Sequence, residues 1–366
     1  MQKELISMRQ AFCIIALFIC GSSVVMGGNS EAGQDSWISL LLAFLGVVPM
    51  LLFYARIIRL YPDKNLFEIF EALFGKIFSK FFIAMMSWYA LHLCALVVVN
   101  FSQFIEIMDL PETPQLPLMI VMLAVTAFLA ASGIETLGKW SIIALPLVCV
   151  MVALTIIMSL NQMDFSNILP VMENDFSTIA SSSLKLFTFP FAESVLFLGL
   201  AGSIKKQTNP YKLFVYAAAF ATLLLLVVLL RNIELLGPAI MKIEYFPSYI
   251  AARIINVGEF LTRIEGGIST NFIILGITKI TVCLLVAAKG TAHLFGIPNY
   301  RRILIPVALL ALSLSAVLFS SAMEMFTFLD TYQYYALLFQ VVIPIVVWLV
   351  AEIKIRRQKK LAAGGS

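Results

Sequence analysis

Runs of about twenty apolar residues recur along almost the whole chain, and a helix needs a run of that length to cross ~30 Å of hydrocarbon. Lipid offers no partner to backbone N–H and C=O groups, so each run has to satisfy its own ladder, and a helix does so within one segment. The expected fold is all-α and integral to the membrane. Ten transmembrane helices are expected near 9–29, 37–58, 81–104, 116–132, 138–159, 184–203, 211–231, 267–288, 303–321 and 333–353. With 61% apolar residues and a mean hydropathy of +0.97, the chain lies well above the roughly 45 to 50% apolar content of an ordinary globular domain. No segment between the runs is long enough to enclose a core of its own, so residues 1–360 are read as one transmembrane domain. The sequence LAAGGS at 361–366 reads as an appended tail. The first run has no convincing small-residue cleavage site and is expected to remain as the first helix.

Charge tests the count, because Lys and Arg accumulate in cytoplasmic loops. One set of loops carries Arg56, Arg59, Lys64, Lys76 and Lys80, then Lys139, then Lys205, Lys206 and Lys212, then Lys289, Arg301 and Arg302, with a basic C-terminal segment after them. The alternate loops carry Glu31 and Asp35, then Glu106, Asp109 and Glu112, then Asp164, Glu173 and Asp175, and no base. Both termini are therefore expected in the cytoplasm. The segment 232–266 mixes both signs and holds a predicted amphipathic helix, Phe246 to Glu265, with Ile250, Ile254, Val257 and Leu261 on one stripe. The formal charge of +4 comes from these juxtamembrane bases, and nothing resembles a nucleic-acid surface. Five cysteines, all inside apolar runs, have neither metal-site spacing nor loop positions suited to disulfides. Two histidines, no nucleophile elbow and no phosphate-cradling glycine loop argue against an enzyme, and no cofactor is expected.

Ten crossings that begin and end on one side divide into two five-helix repeats of opposite topology, about 9–159 and 184–353. Corresponding positions in the two halves carry interruptions. The first span contains Gly21, Ser22 and Ser23, then Gly27 and Gly28; the sixth contains Thr188, Phe189, Pro190 and Phe191, followed by Glu193. Paired interruptions of this kind point to a midplane ligand site built from broken helices, whose freed backbone groups face a cavity. Glu193 lies inside the sixth span, where a charge is costly, so it is either protonated or partnered. It is suited to take a ligand's ammonium group, to carry a proton, or to pair with Lys279 in the eighth span. A lysine ammonium there can also stand where other such bundles bind sodium. On the third span Tyr89, His92, Asn100 and Gln103 share a face with Leu96. Asn271 and Thr278 share one on the eighth. All but Gln103 are candidate ligand contacts; interhelical hydrogen bonding is the alternative role for such stripes.

Seven short motifs in order, EAGQDSW at 31–37, YPDKNLFE at 61–68, LPETP at 110–114, FSNILPVMEND at 165–175, FPFAESVLF at 189–197, FPSYIAARIINVGEFLTRIE at 246–265 and LFGIPNYRR at 294–302, resemble the spore-germination permease family. These are the B subunits of nutrient germinant receptors, within the amino acid, polyamine and organocation transporter superfamily. The resemblance implies two inverted five-helix repeats of the LeuT type with discontinuous first and sixth helices. It also implies a nutrient site between them, usually for an amino acid and sometimes for a sugar or nucleoside. It implies partner A and C subunits in the spore inner membrane. Two functions are compatible with the residues: a receptor that signals to its partners, and a proton-coupled amino acid transporter using Glu193 or Lys279 as the titrating group.

Overall fold

The computed structural model describes residues 4–26, 30–255 and 265–364. In chain order its α-helices are α1 (Met8–Cys20), α2 (Ser23–Met26), α3 (Ser36–Leu60), α4 (Leu66–Phe104), α5 (Gln115–Ala131), α6 (Ile134–Ser159), α7 (Phe176–Leu186), α8 (Pro210–Ile243), α9 (Pro247–Ile254), α10 (Glu265–Leu294), α11 (Arg301–Leu318), α12 (Ala322–Leu337) and α13 (Ile343–Gly364). Among the described residues nine helical stretches are long and apolar enough to cross a bilayer, and the expected fourth crossing appears as the shorter apolar α5, 17 residues long. The single strand-like contact among them is a bridge between Ile6 and Ile204, which ties the start of the chain to the end of the sixth span.

Local chemistry sets the helix starts. Ser7 and Gln10 form a capping box for α1, and Asn65 and Glu68 form another for α4, each supplying partners to N–H groups that a helix start leaves open. The second box explains why α4 begins at Leu66, well ahead of the expected 81. Gly75, at φ 74°, then bends the chain before the third crossing. Likewise α8 runs past the expected end at 231 and through Gly237, at φ 73°, as far as Ile243.

The most deeply buried helix, α10, packs along α4. Gly276 and Gly290 make this close approach possible, since a Cβ at the first would overlap the Phe101 ring and at the second the Ser87 hydroxyl. Phe101 stacks on Phe272 with centroids 3.8 Å apart. Where α5 and α11 show one face to the surroundings, Phe128, Ile305 and Leu309 are exposed, as expected of side chains that lipid solvates.

The α9 helix packs inward with a face other than the expected one. Ser248, Tyr249, Ala251 and Ala252 are buried, while Ile254 is 46% exposed. Small side chains let α9 approach its neighbours closely, while Ile250 is only partly buried against the core and Ile254 turns outward. The Val257 and Leu261 part of the predicted stripe lies outside the described residues.

Candidate ligand site between two broken helices

Gly21 ends α1 with φ 26° and ψ −128°, a backbone shape that a side chain would strain. A Cβ there would sit 2.7 Å from Lys279 Cδ and 2.8 Å from the Phe18 carbonyl. The break is thus also the slot through which Lys279 reaches the bundle centre. In the sixth span, α7 passes through a wide π turn, Phe187–Phe191, in which Phe189 is extended at φ −136°, ψ 110°. Pro190 has no N–H to continue the ladder. The chain resumes as a 3₁₀ helix, Ala192–Ser203.

The two breaks meet at Glu193 and Lys279. Glu193 Oε2 lies 2.6 Å from Lys279 Nζ, and both side chains are wholly buried. The ammonium also sits 4.5 Å from the centroid of Phe189 and 5.3 Å from that of Phe18, a cation–π enclosure that replaces part of its lost hydration. The other carboxylate oxygen, Oε1, accepts from the Tyr332 hydroxyl at 3.0 Å. Tyr332 and Tyr89 hydroxyls are 3.1 Å apart. Gln340 Nε2 donates to Tyr89 at 2.8 Å and to the Thr188 carbonyl at 2.8 Å, closing a network from the eighth span to the tenth.

Beside this network lies a small cavity of about 20 Å³ lined by Ser22, Met26, Leu93, Leu96, Val97, Asn100, Phe189, Glu193, Met325, Leu329 and Tyr332. Its wall is mostly aliphatic and thioether. Two buried polar atoms on it, Ser22 Oγ and Asn100 Oδ1, have no hydrogen-bond partner, and Asn100 Nδ2 reaches only the sulfur atoms of Met26 and Met325. Met26, Phe189, Leu329 and Tyr332 also line a second, larger space of about 260 Å³ on the side away from the basic loops. They form a partition between cavity and vestibule. At the rim Lys185 joins Asp330 at 2.6 Å and also Glu31, linking α7, α12 and the turn before α3.

The sequence-predicted residues divide accordingly. Gly21, Ser22, Phe189, Glu193, Asn100 and Lys279 converge on the cavity or its ion pair. Thr188 contributes its carbonyl to the Gln340 clamp, and Tyr89 belongs to the hydroxyl network. Pro190 and Phe191 are buried within the break, and Ser23 is buried with no partner for its hydroxyl. Three candidates lie apart from the cavity wall. His92 stacks on Trp88, 5.6 Å away and 9° from parallel; Thr278 accepts from Trp140 Nε1 at 3.1 Å; Asn271 is fully buried with neither amide atom partnered. Gly27 is outside the described residues. The sequence reading passed over Tyr332 and Gln340, which stand in the last span among aromatic and apolar neighbours. A lone amide in FQVVIPIV was the available signal.

The overall architecture matches solved transporters at low sequence identity. A structure of MhsT in complex with L-phenylalanine superposes with a TM-score of 0.69 at 14% identity, covering 96% of this chain and 89% of that one. Mhp1, a nucleobase-cation-symport-1 family transporter in a closed conformation with bromovinylhydantoin bound, gives 0.68 at 13%, covering 92% and 76%. The fold is therefore the LeuT-type transporter fold with discontinuous first and sixth helices. By sequence, spore germination protein KB of Bacillus subtilis (strain 168) is 26% identical over 365 residues, 98% of each chain. The family model described as spore germination protein matches residues 5–324, and with that match the chain belongs to the spore germination permease family.

Proposed function

We propose that this protein is the B subunit of a spore germinant receptor, which binds a small nutrient between its two broken helices and signals to partner A and C subunits. The observation that carries the reading is the small cavity beside the Glu193–Lys279 pair, which meets the larger vestibule at four shared side chains. The opposite charges of the pair cancel, and the rest of the wall is apolar except for Ser22, Asn100 and the Tyr332 hydroxyl, which is engaged by Glu193. A ligand of no net charge fits such a wall, since an unpaired charge there would lose its hydration without compensation. An amino acid zwitterion with a small apolar side chain has that character, and the polar edge at Ser22 and Asn100 suits its ammonium or carboxylate. Signalling requires that the ligand prefer one arrangement of the partition over another. Met26, Phe189, Leu329 and Tyr332 are the groups able to sense it, because each touches both spaces.

A proton-coupled amino acid transporter is the second reading, favoured by a carboxylate buried at a helix break. Binding and uptake of radiolabelled amino acids, measured in parallel on purified protein in liposomes across a pH gradient, separate the two. Binding without accumulation is the expected outcome for the receptor. Gradient-driven accumulation that Glu193→Gln abolishes would establish the transporter instead. Thermal shifts with a sugar or nucleoside but with no amino acid would reject the proposed ligand class.

A further inference from the structure

We infer that Ser248 is a positioning residue for the cavity, holding the first-span break in place from the outer helix α9. The last turn of a helix leaves carbonyls without partners along the chain, and Val24 lies in the single turn of α2. The Ser248 hydroxyl donates to the Val24 carbonyl at 2.6 Å. That turn carries Met26, and Ser22 immediately precedes it; both line the cavity.

The direction of this bond is set two residues away. Arg231, 2% exposed, can only donate. Its Nε and Nη2 lie 3.1 and 2.5 Å from Asn232 Oδ1, its Nη1 donates to Thr155 Oγ1 in α6 at 2.9 Å, and Nη2 also reaches the Ser248 carbonyl at 3.3 Å. The amide oxygen of Asn232 must therefore face the guanidinium, and its Nδ2 donates to Ser248 Oγ at 2.8 Å. Because that oxygen is already accepting, the single hydroxyl proton of Ser248 is directed at Val24. Asn232 and Ser248 are both fully buried, so water does not compete. The chain of donors runs from Arg231 through Asn232 and Ser248 to the break, and it couples α8, α9 and α6 to the cavity wall. Immediately before α9, Phe246 packs edge-on against Phe104 with centroids 5.1 Å apart, and Tyr245 stacks on Phe326 at 4.3 Å. Both contacts seat the segment that leads into Ser248.

This inference does not rest on the receptor reading or on the ligand, and its test uses neither. Purified protein carrying Ser22→Cys in lipid nanodiscs is treated with a charged methanethiosulfonate, and modification is followed at that position and at Cys283 by peptide mass spectrometry. Ser248→Ala removes the donor. Asn232→Asp keeps the side-chain shape and gives Arg231 a counter-charge, yet offers Ser248 an acceptor that draws its proton from Val24. Each substitution is expected to raise labelling at position 22 about five- to tenfold, the factor one hydrogen bond supplies, with Cys283 still protected. Should Ser248→Ala fail to fold, Asn232→Asp decides. Labelling at the parent rate in Asn232→Asp overturns the inference, and so does an equal rise at Cys283, which marks general loosening.

Discussion

Glu193 and Lys279 are individually unfavourable inside a membrane bundle, and each is tolerable because the other is 2.6 Å away. Removing one partner of a buried pair strands the second charge, at a cost of about 3–5 kcal/mol, whereas replacing both with neutral groups of similar shape is often close to neutral. Glu193→Gln is accordingly expected to lower the unfolding temperature in detergent more than the double substitution Glu193→Gln with Lys279→Met. Fluorescence-monitored thermal unfolding of the parent and the two variants checks this; a double variant less stable than Glu193→Gln would show that the pair contributes more than mutual neutralisation. Both charges were legible in the sequence, because an ionisable group in an apolar run is conspicuous. Tyr332 and Gln340 were not, since a tyrosine or an amide is common enough in a span to pass as packing, and only proximity gives it a role.

The elements show the same division. Gly21 and Pro190 announce breaks because each changes what the backbone itself can do. How the sixth-span break is held depends on a residue from the other end of the chain, for Gln340 sits in the π turn Leu338–Val342 between α12 and α13 and clamps the Thr188 carbonyl and the Tyr89 hydroxyl. Gln340→Leu leaves both without that donor. The expected loss is about 1–3 kcal/mol of stability, the desolvation cost of an unsatisfied buried group, together with weaker binding of any cavity ligand. Unfolding temperature and ligand titration of this variant measure the two effects, and an unchanged unfolding temperature would mean that Gln340 adds nothing to the clamp. The α9 stripe shows the converse: helical spacing identified a helix but not which face turns inward, because in lipid an isoleucine face is as well placed outside as in.

For the whole molecule, we propose that the basic loops and both termini face the cytoplasm. If Lys and Arg set orientation, a green fluorescent protein fused after residue 360 should fluoresce and an alkaline phosphatase fused there should be inactive; the opposite pattern would reverse the assigned sides. Motifs that looked unrelated in the sequence become contacts in the structure. Asp35 of the EAGQDSW segment accepts from Met172 N at 2.7 Å and from Asn174 N at 3.0 Å in FSNILPVMEND, and Gln34 donates to Glu173. The YPDKNLFE segment caps α4 and meets Gly202, where a Cβ would come within 3.1 Å of Asn65 N. The sequence by itself determined that the chain is helical and membrane-embedded, where its two central helices break and that Glu193 and Lys279 are buried, because solvation and backbone sterics act on each segment locally; the burial of Asp35 and Arg231 was not legible there. Only the tertiary structure decided which polar side chains face the cavity and which face a neighbouring helix. Tyr89, His92, Asn100 and Thr278 are polar positions on inward helix faces, and what separates them is whether Tyr332, Tyr335, Met26 or Trp140 stands opposite, a matter fixed by how helices distant in sequence pack.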